Sequence, residues 1–212
     1  MKYDLIYCDP CWEFNSKKTG GSMKSGAAQV YDVMDIEALK RMPVGELANK
    51  DCYLFMWYVG AMPQEALDLV KAWGFKVKNM NGLVWRKLTA TGKPVFGMGY
   101  HTRAGSESCL VAVKGSPKPA SRSVRAVFEA KISNHSAKPE DARLKVEEIA
   151  GNGRKIELFA RGEHGGNWSI FGNQAYPSIV LDEYGWREPC LAELHLQMEE
   201  VVKYVGSTST NK

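Results

Sequence analysis

The chain has 212 residues, 44% hydrophobic and 25% charged, with a net charge of +4 and a sequence pI of about 8.7. That is the composition of a globular protein with one full core, and the charge is a mild bias toward polyanions rather than evidence of a partner. Met1 to Trp12 carry no basic start, apolar stretch or small-residue cleavage site, and the most apolar run, Tyr53 to Met62, is too short for a spanning helix. No membrane association and a cytoplasmic location are therefore expected.

Tyr3 to Cys8 reads as a buried strand feeding a loop at Asp9. Asp35 caps a short helix, Ile36 to Met42, ended by Pro43, and Cys52 to Tyr58 is the continuous apolar run of a strand covered on both faces. Pro63 lies in the first turn of a helix that carries Ala66, Leu67, Val70 and Trp73 and stops at Gly74. Phe75 to Val77 and Leu83 to Arg86 read as two further strands, and the segment from Leu88 to Gly105, with five glycines or prolines, as a long loop. Strands follow at Cys109 to Val113 and Val127 to Ile132, then a helix opened by Pro139 and closed by Gly151, then a strand over Ile156 to Ala160. Strands alternating with helices predict an α/β layered sheet in one domain. Glu188 to Tyr204 has the apolar spacing of an amphipathic helix, able to pack on the domain or to support a homodimer.

Five cysteines make an odd count without a disulfide framework. Cys8-Asp9-Pro10-Cys11 has the spacing of a thiol redox site, but such a site needs a helix starting at its first cysteine. Here a polar, glycine-containing stretch follows Trp12. The other cysteines are isolated, so no metal site is expected.

A strand ending in Asp9-Pro10-Cys11-Trp12 suits methylation of an aromatic amine. Such an amine is a poor nucleophile, because its lone pair is delocalised into the ring. Acceptors at the Asp9 carboxylate and the Pro10 carbonyl can hold its hydrogens and favour a pyramidal nitrogen, while Trp12 stacks on the base. The plain alternative is a strand-to-loop turn, which Asp and Pro favour in any case.

Five collinear stretches go further: LIYCDPCW (5–12), YLFMWYVG (53–60), ESCLVAVKG (107–115), NHSAKPED (134–141) and IELFARGEHGGNWSIFGNQ (156–174). On these the chain resembles the adenine-specific (N6) methyltransferase family that includes the catalytic subunit of the eukaryotic messenger-RNA methyltransferase, and within it the compact bacterial and phage-type members. The resemblance implies a Rossmann-like S-adenosylmethionine-dependent methyltransferase fold: a single catalytic domain over 1–175, with a central mostly parallel sheet and helices on both faces. A C-terminal extension follows over 176–212.

S-adenosyl-L-methionine is the implied cofactor. Asp9, Pro10 and Trp12 would form the adenine site, with Asp9 also near the methionine portion of the cofactor and Cys8 among the cofactor-binding residues. Lys138 would pair with the cofactor carboxylate, Phe159, Arg161 and His164 would line the adenosine side, and Asn173 and Gln174 would bind the ribose hydroxyls. Tyr31, Trp57 and Cys11 are candidates for the base pocket. Each also has a structural alternative: core packing for Trp57, a loop anchor for Tyr31, a solvated cation for Lys138. The usual second proline of the motif is Cys11 here, and the spacing after Arg161 departs from the eukaryotic pattern.

Two glycine-rich loops, about 13–30 and 88–105, interleave cations with aromatics. Lys17 and Lys18 lie in the first, and Tyr100, His101 and Arg103 in the second, a pattern suited to phosphates and unpaired bases. The expected substrate is adenine in DNA at a short or relaxed site, with RNA as the alternative. A non-catalytic nucleic-acid-binding subunit is the reading from another class.

Overall fold

The computed structural model describes residues 2–12, 34–99, 101–133, 137–162, 167–172, 178–182 and 185–189. Lys17, Lys18, Tyr31, Tyr100, His164, Asn173, Gln174 and nearly all of the expected C-terminal helix lie outside them. In chain order the elements are β1 (Tyr3–Cys8), α1 (Ile36–Arg41), α2 (Val44–Leu47), β2 (Ala48–Tyr58), α3 (Pro63–Ala72), β3 (Lys76–Leu88) and β4 (Ser106–Lys114). Then come β5 (Val127–Lys131), α4 (Glu140–Ala150), β6 (Lys155–Leu158), β7 (Trp168–Phe171), β8 (Val180–Asp182) and β9 (Gly185–Arg187).

Seven strands form one sheet in the order β5-β3-β4-β2-β1-β6-β7, in which only β4 runs against its neighbours. The sheet is mostly parallel, as expected, and its faces follow from strand periodicity. Ile6, Leu54, Met56, Leu110 and Ile156 point to one face and meet Leu39 of α1, Leu47 of α2 and Leu69, Val70 and Trp73 around α3. Leu5, Tyr7, Phe55, Trp57 and Cys109 point to the other and meet Ala142 and Val146 of α4. A strand with large apolar residues at consecutive positions, as in β2, is stable only when both faces are covered. Helices on both faces supply that cover.

The order of connections decides where a site can form. From β1 the chain crosses through α1 and α2 to β2 on one side, and later through α4 to β6 on the other. Such a reversal opens a crevice at the carboxyl ends of the strands. The ends of β1, β2, β3, β5, β6 and β7 and the start of the reversed β4 share that edge.

Three departures from the sequence reading have local causes. The two strands expected at Phe75–Val77 and Leu83–Arg86 are one strand, β3. Asn79 and Gly82 look like turn residues, but they mark register shifts, and the Asn79 side chain takes the Asn81 N–H at 2.9 Å. The strand expected to reach Ala160 stops at Leu158, because Phe159 adopts a left-handed backbone with φ 62°. The short elements α2, β7, β8 and β9 escape a periodicity reading. β8 and β9 pair as an antiparallel hairpin in the expected extension, and Ile179 beside them is buried in the same core as β1.

Leu69 joins α3 to the sheet and is fully buried. Leu69→Ala is expected to cost about 2–5 kcal/mol in urea unfolding, the range for a buried Leu→Ala that leaves a cavity. A loss well under 1 kcal/mol would show that α3 is not fixed by this contact.

Candidate active site

Asp9 follows β1 directly and therefore sits on the crevice edge. Beside it stands Lys138, the residue before the proline that precedes α4. The Lys138 ammonium pairs with the Asp9 carboxylate and, at 3.3 Å, with Glu107 at the start of β4. It also lies 5.5 Å from the centre of the Trp57 ring. Glu107 in turn pairs with Lys87 near the end of β3. Charges thus alternate along Asp9, Lys138, Glu107 and Lys87 across four separate elements.

Burial alone would lower the Lys138 pKa, but the carboxylates of Asp9 and Glu107 outweigh it and hold the ammonium above its ordinary range. Burial pushes Glu107 up, and Lys138 and Lys87 outweigh that too, so its carboxyl titrates below the usual value. Both residues are charged near neutrality.

Two cavities meet at this pair. One, of about 190 Å³, is lined by Tyr7, Asp9, Lys138, Arg143, Phe159 and Arg161 among others. The second, of about 340 Å³, is lined by Asp9, Trp12, Trp57, Ser106, Glu107 and Lys138 among others. Asp9 and Lys138 belong to both, so they form the wall between them.

The aromatic side of the wall is held by buried hydrogen bonds. The Trp12 indole donates to the Trp57 carbonyl at 3.2 Å, and the Trp57 indole donates to the Tyr7 hydroxyl at 2.7 Å. Trp57 is buried in the core and also lines the second cavity. Trp12 is likewise 5% exposed while facing the second cavity.

The remaining motif residues fall elsewhere. Pro10 is buried and its carbonyl accepts from the Trp12 N–H at 2.9 Å, which leaves one lone pair for any further donor. Cys11 is half-buried and its carbonyl accepts from the Met34 N–H at 3.0 Å, closing a bridge between residues 12 and 34. Cys8 is fully buried in the core and lines neither cavity. Burial pushes the Cys8 thiol far up and the Cys11 thiol up, the reverse of what a reactive thiol pair requires, and no helix begins at Cys8. His101 and Arg103 are exposed on the segment between β3 and β4 and line neither cavity.

Glu107, Lys87 and Arg143 were not anticipated from the sequence. Glu107 carried a signal, since it opens the ESCLVAVKG stretch, but an acidic residue at a strand start has many bland readings. Arg143 is buried among Glu140, Glu147 and the Trp168 ring, and only the packing of α4 reveals it as lining. Among the described residues no cluster of histidine, cysteine or carboxylate side chains could hold a metal, and no helix is long and apolar enough to cross a membrane.

The MT-A70 family pattern matches residues 3–174. The chain is 30% identical over 187 residues to the Type II methyltransferase M.MunI of Mycoplasma sp, covering 80% of this chain and 77% of that protein. It is 25% identical over 189 residues to the N(6)-adenosine-methyltransferase catalytic subunit METTL3 of Homo sapiens, covering 85% of this chain but 30% of that one. It is 26% identical over 181 residues to the N(6)-adenosine-methyltransferase MT-A70-like protein of Drosophila melanogaster, covering 82% of this chain and 27% of that one. The chain thus spans less than a third of the length of these adenosine methyltransferases. The family's methyltransferases use S-adenosyl-L-methionine. With a crevice at the β1 switch point, two cavities divided by Asp9 and Lys138, and a family match from β1 past β7, the chain belongs to the MT-A70 family of N6-adenine methyltransferases.

Proposed function

We propose that this protein transfers a methyl group to the N6 amine of adenine in DNA, at a short or relaxed recognition site, with Asp9 meeting both reactants. The observation that carries this reading is the pair of cavities sharing Asp9 and Lys138. A two-substrate transfer needs two adjoining volumes and a group at their boundary.

The cavity that includes Phe159 and Arg161 fits the family's cofactor by the chemistry of its wall. Lys138 offers an ammonium for a carboxylate, and Asp9 a carboxylate for an ammonium, side by side as the amino-acid end of S-adenosyl-L-methionine requires. When bound, that cofactor supplies an electrophilic methyl on a positively charged sulfur. Phe159 and Arg161 would face its adenosine portion.

The cavity that includes Trp12 and Trp57 would take the adenine. There the Asp9 carboxylate accepts a hydrogen bond from the N6 amine and draws its lone pair out of the ring. The free lone pair of the Pro10 carbonyl is a second acceptor. Lys138 fixes the Asp9 carboxylate in place, and Glu107, itself held by Lys87, fixes Lys138. Catalysis then comes from position and polarity rather than from a strong base.

DNA is preferred to RNA on the relatives. The type II methyltransferase shares most of its length with this chain, whereas the adenosine methyltransferases carry two thirds or more of theirs outside it. Tritium transfer to duplex DNA, single-stranded DNA and RNA, measured in parallel, is expected to favour DNA. A strong preference for RNA would reassign the substrate and leave the amine chemistry in place.

Asp9→Ala and Asp9→Asn are each expected to reduce methyl transfer by at least about 100-fold while the circular dichroism spectrum stays native. Activity within about threefold of wild type in either variant would remove Asp9 from the boundary role.

Glu107→Gln tests the support of Lys138 through pH. A carboxyl lowered from its ordinary value of 4.5 stabilises the folded state above that value, and the contribution is lost as pH falls through the lowered folded value. Urea unfolding should therefore show a wild-type advantage over Glu107→Gln that is full near neutrality and shrinks below about pH 4.5. An advantage that does not change with pH would contradict the ion-pair chain.

A further inference from the structure

The segment between β3 and β4 leaves and rejoins the sheet on the crevice edge, and Ser106, Glu107 and Ser108 at its far end line the cavity of Trp12 and Trp57. Backbone bonds order it into two successive turns. Gly92 N–H bonds the Thr89 carbonyl at 2.9 Å, Val95 N–H returns to Lys87 at 2.9 Å, and Gly97 N–H meets Ala104 at 2.6 Å. The legs of the second turn are pressed together: a Cβ on Gly97 would collide with the Ala104 carbonyl oxygen, and one on Gly99 with that of Thr102.

This turn displays Phe96 and Met98, 77% and 78% exposed, the most exposed large hydrophobics among the described residues. A Phe and a Met so largely exposed, two positions apart, call for an occupant. Two observations say which kind. Residues 89–105 contain Lys93 and Arg103 and no acidic side chain, and the Arg103 guanidinium lies 5.2 Å from the Phe96 ring centre, so a cation and an aromatic ring are presented together. The surface therefore matches a polyanion with apolar layers, which describes stacked nucleic acid.

We propose that the two legs formed by residues 93–99 and 101–105 act as an extrusion wedge for duplex DNA. Phe96 and Met98 enter the stack beside the target adenine and hold it out of the helix, while Lys93 and Arg103 lie on the flanking phosphates. The proposal rests on the adenine methyltransferase reading and names how a base buried in a duplex reaches Asp9. An amine inside a duplex is out of reach of any such site, and unstacking costs least where the target is already mispaired.

The test compares the full-length wild type with the Phe96→Ala/Met98→Ala double variant on one duplex, paired or mispaired at the target adenine. Tritium transfer gives the rate ratio of mispaired to paired target. That ratio is expected to rise at least about tenfold in the variant. A duplex carrying 2-aminopurine at the target should brighten on binding wild type and stay dim with the variant. An unchanged ratio overturns the wedge, as does a wild type confined to single strands. A rate loss explained by conversion of a dimer to a monomer in light scattering overturns it too and assigns Phe96 and Met98 to self-association. If wild type methylates no nucleic acid at all, the methyltransferase reading fails first, an outcome distinct from an unchanged ratio.

Discussion

Lys138 carries its charge in a place that disfavours charge. Its side chain is 13% exposed, packed over Trp57, and an isolated ammonium there would give up its proton or draw in water. It stays charged because Asp9 and Glu107 close around it from β1 and β4, and Glu107 is balanced in turn by Lys87 from β3. Removing Lys138 would leave Asp9 without this counter-charge and Glu107 with Lys87 alone, at partly buried positions where an unpaired charge is costly. This arrangement ties the loop after β1, the entry to α4 and both strands of the β3–β4 pair to one point.

That point coincides with the reversal of strand order at β1, and the coincidence has a physical basis. α1 and α2, which follow β1, and α4, which precedes β6, pack on opposite faces of the sheet, so a crevice opens at the carboxyl ends of these two strands. Polar and charged groups placed there can remain partly solvated, while the same groups one residue earlier, at Cys8, are replaced by a fully buried thiol. The step from Cys8 to Asp9 is the step from core to site. At the end of β6 the left-handed Phe159 breaks the strand at the corresponding place and opens the cavity wall.

The long, strongly patterned elements were readable from sequence: β1, β2, α3 and α4 follow from apolar runs, capping residues and glycine stops. Asp9, Trp12 and Lys138 were readable as members of motifs, and their adjacency was not, because 129 residues separate Asp9 from Lys138 and only the sheet brings them together. Glu107 opened one of the motifs, but its role was not readable, because an acidic residue opening a strand gains meaning from what stands across from it. β3 was misread because Asn79 and Gly82 have the chemistry of a turn, and the pairing of β3 with β4 overrode that local preference through two register shifts. The exposed pair Phe96 and Met98 lay in plain view within a segment read as a loop. Exposure, which distinguishes a display from a core, is not written in the sequence.

Asp9 and Lys138 line both cavities, and the proposed reaction requires one to hold the cofactor and the other the base. The most direct measurement is a crystal structure of the protein with S-adenosylhomocysteine and an adenine-containing oligonucleotide. The amino-acid end of the cofactor product is expected against Lys138, its adenosine beside Phe159 and Arg161, and the target base between Asp9 and Trp12. Adenine bound on the Phe159 side with the cofactor product against Trp12, or both ligands in one cavity, would contradict it.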